Sequence, residues 1–71
     1  MPLTWSDPRP IGEALFEKFG ELNPLTVRFT DLHRWVTELP DFADDPKKSS
    51  EKHLEAIQMV WYDEWRDEHE E

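Results

Sequence analysis

The chain of 71 residues sets 17 acidic against 8 basic side chains for a formal charge of -9, so phosphate backbones would repel it. It has no cysteine, which excludes a disulfide framework, a thiolate metal site, a sulfur-ligated cluster and a cysteine nucleophile. At this length a single domain buries only about 60% of its unfolded-chain surface, and the longest apolar run, Met59 to Tyr62, falls far short of the roughly 20 residues of a membrane span.

These limits lead to the expectation of one cytoplasmic domain over residues 1–71, monomeric because like-charged copies repel. The charge is lopsided: residues 1–40 carry 6 acids and 4 bases, whereas residues 41–71 carry 11 acids and 4 bases. Such a field calls for a basic partner or a cation. Four Trp, four Phe and one Tyr supply more apolar anchors than a solvated, disordered tail would hold.

The first helix signal follows Thr4-Trp5-Ser6-Asp7, where Ser6 or Asp7 can cap and Pro8 fits the first helical position. Trp5 precedes that cap as a hydrophobic staple. Ile11, Ala14, Leu15 and Phe19 then recur at helical spacing, Glu13, Glu17 and Glu21 take another face, and Gly20 reads as the stop. Gly12 weakens this helix.

Asn23-Pro24 predicts one helical turn to about Thr26, and Val27-Arg28-Phe29 favours a very short extended segment. Thr30 with Asp31 caps a second helix, whose buried face is Leu32, Trp35, Val36 and Leu39; Pro40 ends it. Residues 41–49 carry turn formers and no sustained period, so they read as the main loop, pinned by Phe42.

Ser49 or Ser50 caps the longest helix, with apolar face Leu54, Ile57, Val60, Trp61 and Trp65. Glu64 and Glu68 continue that face, so the helix must leave the core by Glu64. Fraying is expected after about Asp67, giving an acidic frayed tail over residues 66–71. The sum is an all-α, three-helix domain in a helix-turn-helix arrangement.

Two acidic regions are candidates for binding. Asp63, Glu64, Asp67 and Glu68 form pairs one helical turn apart, where like charges repel and a divalent cation would relieve them. Oxygen ligands suit magnesium, calcium, manganese or ferrous iron, and nothing in the pattern selects among these. Asp41, Asp44 and Asp45, with Asp31 at the start of the second helix, form a second acidic surface, although turn and cap chemistry explains the same residues. Their spacing is not that of an EF-hand loop.

His33, His53 and His69 lie too far apart to show metal-ligand spacing. His33 flanks the apolar face of the second helix and can donate to a neighbouring backbone group, while His69 stands beside Glu68 and Glu70 in the tail. Trp35 and Trp61 read as core; Trp5 and Trp65 read as either core or interface anchors. A helix over residues 30–39 offers Arg34 against Asp31 and Glu38, with no stripe of phosphate-contacting side chains, so no nucleic-acid partner is expected. There is no Gly-rich phosphate loop, nucleophile elbow or catalytic triad, so no enzymatic activity is expected.

The segments Leu3-Thr4-Trp5-Ser6-Asp7, Ile11-Gly12-Glu13-Ala14-Leu15, Thr26-Val27-Arg28-Phe29-Thr30-Asp31-Leu32-His33-Arg34-Trp35, Asp41-Phe42-Ala43-Asp44-Asp45-Pro46 and Glu55-Ala56-Ile57 through Trp61 resemble, in order and spacing, the IscX (YfhJ) family of iron-sulfur cluster assembly proteins. The likeness runs from about Leu3 to Trp65. It implies a small modified winged-helix fold, an acidic surface that binds a cysteine desulfurase, weak ferrous iron binding, and competition with the frataxin homologue and ferredoxin for the same basic region.

Taken with the charge density, the resemblance assigns partner binding to Asp31, Asp41, Asp44, Asp45, Asp63, Glu64 and Asp67, and metal to Asp63, Glu64, Asp67 and Glu68. The expected function is that of an adaptor or regulator of cluster assembly. The alternatives are a direct iron donor and an acidic DNA mimic. The tail Arg66-Asp67-Glu68-His69-Glu70-Glu71 runs past the usual end of the family pattern and adds a second carboxylate cluster for iron.

Overall fold

The computed structural model describes residues 2–69. Three helices follow one another, α1 over Pro8–Lys18, α2 over Phe29–Thr37 and α3 over Glu51–His69, with 3-10 turns at Pro24–Thr26 and Pro46–Lys48. The fold is all-α, and no paired strands that could form a wing occur among the described residues.

Extended pairing does occur, but away from residues 27–29. Leu3 and Phe42 form an isolated parallel bridge, in which Leu3 N donates to Asp41 O at 2.7 Å and Ala43 N to Leu3 O at 2.8 Å. Val27 and Arg28 have extended dihedral angles yet pair with no strand, because Val27 N closes the preceding turn onto Pro24 O and Arg28 is the residue from which α2 starts.

Helix α1 begins at Pro8 as its first-turn prolines predict, since a missing N–H at that position is not needed by the helix. The Asp7 carboxylate, expected to cap it, faces backwards and accepts from Thr4 N at 3.2 Å and Thr4 Oγ1 at 2.9 Å. The helix ends at Lys18, with Phe19 N returning to Leu15 O at 2.8 Å. Gly20 does not take a positive φ, so the stop is not a left-handed glycine cap.

Helix α2 starts at Phe29, two residues earlier than a Thr30 cap predicts, with no side-chain cap. Asn23 does cap its turn, its Oδ1 accepting from Leu25 N at 3.0 Å. At the start of α3, Ser50 Oγ accepts from His53 N at 3.4 Å.

The core joins Ile11 and Leu15 of α1, Leu32 and Val36 of α2, and Leu54, Ile57 and Trp61 of α3, with Leu39 and Trp5 completing it. Each such side chain contributes about 1.5–3 kcal/mol on leaving water. Trp35 is half-buried; it stacks on Phe19 at 4.5 Å and meets Trp61 edge-on at 6.4 Å.

Helix α3 packs mainly on α1. They approach closely at Gly12, where an added Cβ would lie 2.6 Å from Val60 Cγ1 and 3.0 Å from Trp61 N. A residue that weakens an isolated helix is here what lets two helices meet.

The structure extends α3 through His69, past the fraying expected after Asp67. Residues 70 and 71, the end of the expected frayed tail, lie outside the described residues.

Candidate functional site: an acidic surface in two parts

The first part is the loop of residues 41–46, held against Trp5. That tryptophan is 2% exposed, a core residue rather than a peripheral staple or interface anchor. Its backbone N–H donates to Asp44 Oδ2 at 3.0 Å and its indole Nε1–H to Asp45 O at 2.7 Å. His33 stacks on the ring at 5.4 Å, His53 at 6.5 Å, and Phe42 meets it edge-on at 4.8 Å. His33 Nε2 donates to Pro46 O at 2.6 Å, the backbone bond its position predicts; because a carbonyl only accepts, that nitrogen carries the hydrogen.

This clasp accounts for two of the loop acids. Asp44 accepts a second bond from Asp45 N at 2.7 Å. The Trp5 N–H first, and the Asp45 N–H next, hold its carboxyl below the usual aspartate value; partial desolvation opposes them, and Lys48 and His53 add to the lowering. Asp45 Oδ1 accepts from Lys47 N at 2.9 Å and so caps the second 3-10 turn. Both carboxylates build the loop whatever else they meet.

Asp31 stands in the first turn of α2 with Arg34 at 3.7 Å, a solvent-exposed pair of small energetic weight. Asp41 is exposed, and among the described residues its carboxylate has no hydrogen bond or ion pair.

The second part is the end of α3. Asp63, Asp67 and Glu68 are exposed and Glu64 is half-buried. At about 100° per residue, Asp63 and Asp67 share one outward stripe and Glu64 and Glu68 another. No ion pair among the described residues engages any of the four, and their mutual repulsion costs a few tenths of a kcal/mol per pair, about 0.2–0.5. Arg66 reaches over the Tyr62 ring at 6.0 Å.

No group of three or more His, Asp or Glu side chains among the described residues is placed to hold a metal ion. His69, the nearest nitrogen ligand in sequence, donates from Nε2 to Gly20 O at 3.0 Å and lies against the Trp65 ring at 4.7 Å.

The structure thus sorts the acids of the sequence pattern into two kinds. Asp44 and Asp45 are turn builders, whereas Asp41, Asp63, Asp67 and Glu68 face solvent. The Trp5 clasp and the His69 bond link residues 39 or more positions apart, for which local spacing carries no signal.

No helix among the described residues is long and apolar enough to cross a membrane. A family described as iron-sulphur cluster assembly matches residues 3–66. An uncharacterised protein of Pseudomonas aeruginosa is 52% identical over 64 residues, covering 90% of this chain and 97% of the relative. With a match that reaches from the Leu3 bridge to the last core turn of α3, the chain belongs to the iron-sulphur cluster assembly family that its sequence resembles, the IscX (YfhJ) family.

Proposed function

We propose that this protein is a non-catalytic adaptor that docks its acidic surface on the basic rim of a cysteine desulfurase active site and tunes sulfur transfer to the cluster under assembly. The observation that carries the reading is the run of acids at the end of α3. Asp63, Glu64, Asp67 and Glu68 repel one another there without an ion-pair partner among the described residues, within or next to a segment matched by an assembly family. A cleft or rim of basic charge on a partner would meet this field and associate faster for it. Asp41 and Asp31 extend the negative surface, and Asp44 and Asp45 hold the loop that presents Asp41.

Acidic complementarity of this kind speeds encounter and fixes orientation. The frataxin homologue and ferredoxin compete for the same basic region in this reading. Ferrous iron is cargo, held weakly by the pairs Asp63/Asp67 and Glu64/Glu68. Its charge lowers the field that attracts the desulfurase, so iron occupancy weakens docking.

Charge reversal tests the reading. The triple variant Asp63→Lys, Glu64→Lys, Asp67→Lys is expected to bind the matching desulfurase on the order of tenfold to a hundredfold more weakly at low salt. Unchanged affinity would remove the α3 end from the docking surface.

A further inference from the structure

The last turn of α3 ought to unravel on local grounds. Asp67 and Glu68 follow Asp63 and Glu64 at four-residue steps, and acids near a helix C-terminus oppose the macrodipole. The turn nevertheless stays helical through His69. Arg66 in the same turn offsets part of the repulsion, and His69 adds a tertiary tie: its Nε2 donates to Gly20 O at 3.0 Å, and its ring packs on Trp65 at 4.7 Å. Trp65 in turn stacks on Tyr62 at 6.1 Å, so a ladder of three rings runs down the end of the helix to the bond with Gly20. Gly20 lies just beyond α1, so the bond ties the end of α3 to the segment that leaves α1.

From this geometry we infer that His69 is a latch: by holding the last turn of α3 on the carbonyl of Gly20, it presents Asp63, Asp67 and Glu68 as one ordered acidic surface instead of a frayed run. His69 touches no partner or metal in this role; it is a positioning residue. It also lies beyond residues 3–66, the stretch the family matches. Its consequence for docking rests on the adaptor reading above, whereas the latch itself does not.

Two variants separate the possibilities. His69→Ala removes the donor, and His69→Gln keeps an N–H that reaches toward the same carbonyl. Backbone order of residues 64–69 is read by heteronuclear NOE and amide exchange on the full chain, and desulfurase affinity by calorimetry at low salt. The expected result is that His69→Ala frays the turn, raises amide exchange there by about tenfold or more and weakens docking severalfold, while His69→Gln retains most of both. A turn that stays as ordered in His69→Ala as in the parent chain overturns the latch. Fraying with unchanged desulfurase affinity overturns the docking consequence and, with it, the place of the α3 end in the adaptor reading.

Discussion

At Gly12 the requirement is steric, because a Cβ would sit 2.6 Å from Val60 Cγ1 and 3.0 Å from the backbone nitrogen of Trp61. Gly12→Ala gains about 1 kcal/mol of helix propensity, but overpacking against a backbone atom that cannot retreat costs about 1–3 kcal/mol. The expected balance is a lower Tm, with the double variant Gly12→Ala, Val60→Ala losing less than the sum of its parts. Trp5→Phe keeps most of the buried ring but leaves Asp45 O without the indole donor it meets at 2.7 Å, a loss of about 1–2 kcal/mol measurable by chemical denaturation. Asp44 supplies a pH dependence. Its folded value lies below that of the unfolded chain because two backbone N–H groups favour the carboxylate. Its contribution is therefore complete above the unfolded value of about 3.9 and is lost as pH falls through the lower, folded value. Asp44→Asn is expected to lower Tm at neutral pH and to flatten the fall in Tm on acidification; an unchanged acid limb contradicts the clasp.

At the scale of elements, the apolar stripes that pattern predicts carry the core: Ile11, Leu15, Leu32, Val36, Leu39, Leu54, Ile57 and Trp61 are buried, whereas Ala14, Phe19, Trp35, Val60 and Trp65 of the same stripes are half-buried. Helical period alone reveals them, since each stripe needs only neighbours three and four residues away. What the pattern misses depends on distant partners. Trp5 enters the core through a loop that begins 36 residues after it, and His69 at the end of α3 bonds Gly20 across 49 positions. Asp44 and Asp45 carry the same acidic signature as Asp41 and Asp67, and only the fold separates turn builders from solvent-facing charges. That separation yields a prediction. Asp67→Asn with Glu68→Gln removes like-charge pairs worth about 0.2–0.5 kcal/mol each, so it should hold or slightly raise Tm while weakening desulfurase binding. Asp44→Asn should do the reverse in thermal unfolding, lowering Tm through the loop. If the two sets of variants lower Tm alike, the division between structural and functional acids is wrong.

For the whole molecule, charge is the organising feature. An all-α domain 37 × 24 × 16 Å in extent carries a formal charge of -9, with 11 of its 17 acids at residues 41–71. In the adaptor reading this field draws a basic partner, with a strength that salt screens over a Debye length of about 8 Å at physiological ionic strength. Family membership places the chain in iron-sulphur cluster assembly, and the acidic end of α3 is the surface through which the adaptor reading acts. The most direct test is a calorimetric titration of the metal-free protein into the matching cysteine desulfurase at low and at physiological salt, repeated anaerobically with ferrous iron. The account predicts binding that weakens as salt rises and weakens again when iron is present. Absence of binding at either salt, or binding indifferent to both salt and iron, would contradict it.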